Sequence, residues 1–199
     1  ARLVRQPPAC TSILTRSAPA KPGSMVTSMD YMERALELAA RAAGMVSPRP
    51  PVGCVLVKAG EIVGEGFTSV SPGPHAEIAA LRQAGAKARG ASAYTTLEPC
   101  NHHGNTPPCT DALLNAGVAS VTTAMQDPDP RVDGTGIRRL RSAGIEVAES
   151  SSEAHASRAW ELIEGFARLT KTRRPLVIAK YAMSLDGKIA TRTGDSQWI

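Results

Sequence analysis

From residue 29 to residue 44, apolar side chains recur at steps of three and four: Met29, Met32, Leu36, Ala39 and Ala43. That spacing predicts an amphipathic helix with one buried stripe. Asp30, with Glu33 three residues on, has the form of a capping pair, and Gly44 closes the element. Pro48, Pro50 and Pro51 cannot continue it. The pattern then changes to short β-branched runs. Residues 52–57 and 61–67, joined by Lys58-Ala59-Gly60, read as a hairpin. Ser71-Pro72-Gly73 is a loop that delivers Pro74 and His75 to a second helix, with Ile78, Ala79 and Leu81 apolar. Residues 91–97 read as a buried strand, and Pro107-Pro108 suits the start of a helix that continues to Gly117. A strand over 118–125, a helix over 136–143, a short strand over 145–148 and a helix over 152–169 follow. Strands alternating with helices imply an α/β domain of three layers, α/β/α.

The same pattern divides the chain. Residues 29–150 make this domain, and 151–174 a helix with the basic linker Lys171-Thr172-Arg173-Arg174. Residues 176–181 open a further strand, so 175–199 read as the beginning of a second domain, incomplete at Ile199. Residues 1–28 are rich in Pro, Ser, Ala and Arg, lack an apolar period and read as a disordered leader. A transit peptide has this acid-poor, Arg- and Ser-containing character, and so does read-through ahead of Met25 or Met29.

Composition narrows the function classes. A hydrophobic share of 42% and a charged share of 21% are those of a globular protein. No apolar run is long enough for a bilayer, so no membrane partner is expected. The net charge of +5 hints at nucleic acid, but residues 1–24 hold Arg2, Arg5, Arg16 and Lys21 and no acid. Removing those four from the 23 basic residues leaves 19 against 18 acidic ones. A nearly neutral body lacks the basic surface that tracking phosphates needs. Of the four cysteines, Cys54 falls in an apolar strand and Cys10 in the leader. A reducing compartment, cytoplasmic or (if the leader is a transit peptide) plastid, suits the remaining two.

Those two belong to the chemical signal. His75 and Glu77 are followed by Pro99-Cys100 and, after eight intervening residues, Cys109. Zinc deaminases carry H-x-E and then P-C-x-x-C, so the spacing of the second half departs. One imidazole and two thiolates are three ligands for Zn²⁺, leaving the fourth tetrahedral position open for water. Glu77 is then placed to take a proton from that water and pass it to a departing amine, which describes hydrolytic deamination of a nitrogen heterocycle. Alternatively His102 or His103 closes a structural Cys₂His₂ site in a non-catalytic module, although the carboxylate beside His75 would then have no task. Cys54 reads as core, His155 as exposed, and Trp160 and Phe166 as packing for their helix.

The chain resembles the bifunctional riboflavin-biosynthesis deaminase/reductase family. The resemblance lies in Pro74-His75-Ala76-Glu77, Thr96-Leu97-Glu98-Pro99-Cys100 and Thr106-Pro107-Pro108-Cys109. It continues in Ala124-Met125-Gln126-Asp127-Pro128, Ser184-Leu185-Asp186-Gly187-Lys188 and Thr193-Gly194-Asp195-Ser196-Gln197-Trp198. It implies a cytidine-deaminase-like domain with a mixed sheet, then the first strand of a truncated dihydrofolate-reductase-like domain. The implied reaction is deamination of 2,5-diamino-6-ribosylamino-4(3H)-pyrimidinone 5′-phosphate. Zn²⁺ would sit on His75, Cys100 and Cys109, with Glu77 as proton carrier. His102, Thr106 and Asp127 match the substrate pocket, as Ser196 does in the reductase part. Ala182 and Trp198 match contacts to NADPH, which the full-length reductase uses; no reductase activity is expected from these 199 residues alone. The family also implies a homo-oligomer. Three positions depart: Arg49 and Asp129 stand where the family usually has Asn, and Asn105 where it has Lys or Arg. Arg49 could replace the cation missing at 105, whereas the charge of Asp129 has no evident compensation. The departures leave open a deaminase of the same fold acting on another base.

Overall fold

Strand β1 (Gly53–Lys58) is buried over all but its last residue, and the other elements cover it. The computed structural model describes residues 30–104 and 107–197. In it, β1 pairs antiparallel with β2 (Glu61–Phe67) on one side and with β3 (Ser92–Thr95) on the other. Strands β4 (Ser120–Thr123) and β5 (Glu146–Glu149) then add in parallel, giving the order β2-β1-β3-β4-β5. Two-residue hairpins cannot join parallel strands, so crossover helices intervene. They are α3 (Cys109–Ala116) and α4 (Thr135–Ser142). The expected mixed sheet is present.

Alternation along β1 assigns the two layers. Cys54 and Leu56 pack with Ala76 and Ala80 of α2 (Ala76–Ala84), Leu113 of α3 and Leu140 of α4. Val55 and Val57 pack with Met32 and Leu36 of α1 (Tyr31–Ala42) and Ala159 of α5 (Glu153–Thr172). Cys54 is thus the small core residue expected.

The position of α2 depends on backbone approach. A Cβ at Gly66 would lie 2.3 Å from the Ala76 carbonyl oxygen. Any larger residue would push the helix off β2, and with it the first turn carrying Glu77.

Asp30 caps α1 as expected, its carboxylate accepting from the N–H groups of Met32 and Glu33 at 3.0 and 3.1 Å. His155 corrects the expectation of an exposed residue. Its Nε2 lies 3.1 Å from Asp30 Oδ2 and its Nδ1 2.8 Å from Ser150 Oγ, which fastens the start of α5 to the cap of α1. A cap acceptor and a turn hydroxyl, distant in sequence from each other, make it half-buried. Trp160 lies on the outer side of α5, 38% exposed, with the Lys171 ammonium 5.6 Å from its ring centroid.

Helix α5 extends to Thr172, beyond the expected 169, and ends at Arg173 in a left-handed conformation. The strand expected over 176–181 is not formed. A strand needs a ladder neighbour, and no described residue pairs with this segment; Val177 and Ile178 are 81% and 79% exposed. The leader lies outside the described residues, as do Asn105, Thr106 and Trp198. No described helix is long and apolar enough to cross a membrane.

Candidate metal centre and cleft

Two helix N-termini meet at the end of β3. His75 is the N-cap residue of α2, Glu77 sits in its first turn, and Cys109 is the first residue of α3. Cys100 follows β3 by way of Thr96-Leu97-Glu98-Pro99. His75 Nδ1 lies 3.2 Å from Cys109 Sγ and 3.6 Å from Cys100 Sγ. The three ligand atoms fall within 4.8 Å of one another. Tetrahedral zinc with ordinary Zn–N and Zn–S bonds places such atoms about 3.5–3.8 Å apart. Donor chemistry and spacing therefore both fit Zn²⁺. Among the described residues, neither His102 nor His103 joins the cluster, so it does not form a closed Cys₂His₂ site.

The thiols are polarised for this task. Cys100 is pulled down to about 4, chiefly because the Cys109 thiol donates to it; burial opposes this, and the His75 ring and the Cys109 N–H assist. Cys109 is pushed up, since it keeps the shared proton. Hydrogen bonding to Cys100 raises His75. A divalent cation would displace that proton. Glu77 is 4% exposed, and burial, followed by the charge on Cys100, raises its carboxyl to about 7.

Glu98 was legible only as part of a motif, yet it organises the far wall. It is 2% exposed, and its carboxylate accepts four backbone N–H groups. Oε2 takes Asp127 at 3.2 Å and Gly134 at 2.9 Å, and Oε1 takes Gly136 at 2.8 Å and Ile137 at 3.2 Å. The N-terminus of α4 and the loop before it are thereby tied to the segment carrying Cys100. A Cβ at Gly136 would lie 2.1 Å from the Pro99 carbonyl oxygen, so this approach needs glycine. The available signal was a lone acid between Leu97 and Pro99 at the end of a buried strand, which burial obliges to find donors.

A cleft of about 280 Å³ opens onto the ligands, lined among others by His75, Glu77, Cys100, His102 and Asp127. His102 and Asp127 are thus placed in one cleft with His75, Glu77 and Cys100. Thr106 and Trp198 fall outside the described residues. Ala182 and Ser196 lie in the irregular C-terminal segment, exposed, and are not among the lining residues. Phe166, expected only to pack α5, also lines the cleft. Asp129, 2% exposed, has the compensation that the sequence did not reveal. Its carboxylate accepts from Arg131 Nη2 at 2.6 Å, from Nε at 3.0 Å and from the Arg131 N–H at 2.9 Å.

Asp127 is 7% exposed, and burial raises its carboxyl from 3.8 to about 6, although the Asp129 N–H donates to it at 2.8 Å. The folded chain therefore holds this proton more tightly than the unfolded chain, and stability falls as pH rises from about 4 to about 6. Asp127→Asn removes the titration but keeps an acceptor. The wild type should lose about 2–3 kcal/mol relative to this variant between pH 4 and pH 7, read from urea unfolding at each pH. Parallel pH profiles for the two proteins would refute the assignment.

The cytidine and deoxycytidylate deaminase zinc-binding region matches residues 25–125, and the RibD C-terminal domain matches residues 175–199. The chain is 53% identical over 169 residues to the riboflavin biosynthesis protein RibD of Escherichia coli (strain K12), covering 85% of this chain and 45% of that protein. It is 48% identical over 164 residues to the chloroplastic riboflavin biosynthesis protein PYRD of Arabidopsis thaliana, covering 82% and 38%. One similar crystal structure is the diaminohydroxyphosphoribosylaminopyrimidine deaminase/5-amino-6-(5-phosphoribosylamino)uracil reductase of Thermotoga maritima. It has a TM-score of 0.78 at 46% identity, covering 85% of this chain and 48% of that one. RibD of Acinetobacter baumannii has a TM-score of 0.77 at 47% identity, covering 83% and 46%. The chain spans less than half the length of these four relatives.

Proposed function

Since the chain belongs to the family of the cytidine and deoxycytidylate deaminase zinc-binding region, we propose that residues 29–150 form a zinc-dependent hydrolase of riboflavin biosynthesis. The reaction is hydrolytic deamination of 2,5-diamino-6-ribosylamino-4(3H)-pyrimidinone 5′-phosphate. The observation that carries this reading is the buried Glu77 carboxyl in one cleft with a three-ligand set that no described fourth residue closes.

His75, Cys100 and Cys109 would hold Zn²⁺, which when bound supplies a Lewis acid able to activate water at neutral pH. Glu77 takes a proton from the attacking water as its oxygen bonds to the amine-bearing ring carbon. Its carboxyl then returns the proton to the amine nitrogen, the carbon–nitrogen bond breaks and ammonia leaves. Asp127 offers polar atoms to the edge of the heterocycle, and Phe166 an apolar wall. The relatives named for riboflavin biosynthesis support the pathway, and the Thermotoga maritima deaminase/reductase supports the substrate class. Residues 175–199 are read as the start of the NADPH-dependent reductase domain of a longer protein, with Ala182 and Trp198 toward NADPH and Ser196 toward its substrate. Thr106 joins the deaminase pocket in this reading. A homo-oligomer in a cytoplasmic compartment completes it; a plastid location is the alternative, supported by the chloroplastic relative.

Zinc-loaded protein incubated with the phosphorylated pyrimidinone should release ammonia and form 5-amino-6-(5-phosphoribosylamino)uracil, followed by coupled ammonia assay and chromatography. Deamination of cytidine or dCMP instead would replace the substrate. No release from any of them would leave a non-catalytic zinc module.

A further inference from the structure

Resting on the reaction just proposed, we propose that a second cleft beside the metal ligands is the subsite for the substrate's phosphate monoester, and that Arg49 is the residue that makes it one. This cleft, about 200 Å³, shares Arg49, His75, Cys100 and His102 with the first and adds Ser71, Pro72, Gly73 and Gly104. Its volume is that of roughly six waters, room for a phosphate and part of its hydration. No carboxylate is among its lining residues, whereas the first cleft has Glu77, Glu98, Asp127 and Asp129. An anion entering from the mouth therefore meets least repulsion here.

The two arginines that line these clefts differ in what their charge already faces. Arg131 gives Nε and Nη2 to the Asp129 carboxylate, and its side chain is 73% exposed. Its charge is locally neutralised. Arg49 is half-buried, and only Nη1 has acceptors among the described residues, the carbonyl oxygens of Ser69 at 3.2 Å and Gly73 at 3.0 Å. Those bonds hold the guanidinium in place while Nε and Nη2 stay available, and such a fixed fork suits a phosphate. His102 lies beside Arg49 in the lining of this cleft. Its Nδ1 is buried without a partner among the described residues. The ring lines both clefts, so its other edge faces the space that they share. The heterocycle over Glu77 and the phosphate by Arg49 would then occupy adjoining parts of one continuous cavity.

Arg49→Gln separates charge from scaffold, because glutamine still donates to the Ser69 or Gly73 carbonyl. It should raise KM for the phosphorylated substrate about 10–100-fold with kcat changed less than about threefold, the span of one to two charge-assisted hydrogen bonds. The preference for the phosphorylated over the dephosphorylated nucleoside should fall by that factor, and Arg49→Lys should recover part of it. Equal losses on both substrates would show that Arg49 only supports the 69–73 loop, which overturns the subsite. Calorimetry with ribose 5-phosphate distinguishes this failure from failure of the proposed reaction. If no substrate is deaminated, binding by the wild type that Arg49→Gln abolishes still supports the subsite, and absence of binding to the wild type overturns it.

Discussion

Glu77→Gln should lower the rate of ammonia release about 10²–10⁴-fold, the usual contribution of a positioned general acid–base. Zinc content, measured by metal analysis of the purified variant, should not change, because the proposed ligands are His75, Cys100 and Cys109 and the glutamine has the same shape. In the proposed mechanism the carboxyl has two tasks in succession, accepting a proton from water and donating one to nitrogen, and an amide can do neither. At 4% exposure few solvent molecules reach the position to substitute for it. The loss should therefore fall on kcat, with KM changed little, as for an interaction realised in the transition state. Retention of more than a tenth of the wild-type kcat would remove Glu77 from the mechanism. Loss of zinc together with activity would instead make it a fourth ligand.

The second large effect concerns stability. Glu98→Gln keeps the volume of the side chain but turns one acceptor oxygen into an NH₂ group facing backbone donors. Of the N–H groups of Asp127, Gly134, Gly136 and Ile137, the two on that oxygen lose their acceptor inside the protein. At about 1–3 kcal/mol for each of two buried donors left unsatisfied, the variant should be about 2–6 kcal/mol less stable in urea unfolding. That is a large part of the roughly 5–15 kcal/mol by which a domain of this size is usually stable. Hydrogen exchange offers a local check. The amides of Gly134, Gly136 and Ile137 should lose protection well before those of β1, which Glu98 does not touch. A variant within about 0.5 kcal/mol of wild type, the range of ordinary surface substitutions, would show that the four bonds are individually dispensable. Activity should also fall, because Asp127 is carried on the loop that these bonds hold.

Much of this was legible in the chain because local spacing and burial agree. The helix stripe of Met32, Leu36 and Ala39, the hairpin around Gly60 and the candidate grouping of His75, Cys100 and Cys109 needed no tertiary information. Proline and glycine punctuation, hydrophobic period and donor chemistry are properties of a few neighbouring residues. What escaped was contact between segments far apart in sequence. The Asp30–His155–Ser150 link joins the first helix to the last, so His155 read as exposed when only its own helix was considered. Phe166 read as packing because nothing in its surroundings on α5 shows that the other face meets the cleft. Expected strand 176–181 had the composition of a strand but lacked a neighbour to pair with.

Asp129 shows the difference over the shortest distance. Its partner Arg131 is two residues away, yet charge alone could not say whether the two would face each other or diverge; the turn decided it. At the centre itself, the sequence determined which atoms can bind zinc and which group can carry a proton, since those are properties of side chains. The fold alone decided that α2, α3 and the end of β3 converge with His75 Nδ1 3.2 and 3.6 Å from two thiols set 34 and 25 residues away. It also decided that Glu98 holds the opposite wall and that Arg49 lines a cleft beside His75 and Cys100. Ligation and proton transfer depend on distances of a few ångströms between remote segments, and such distances exist only once the sheet has brought those segments together.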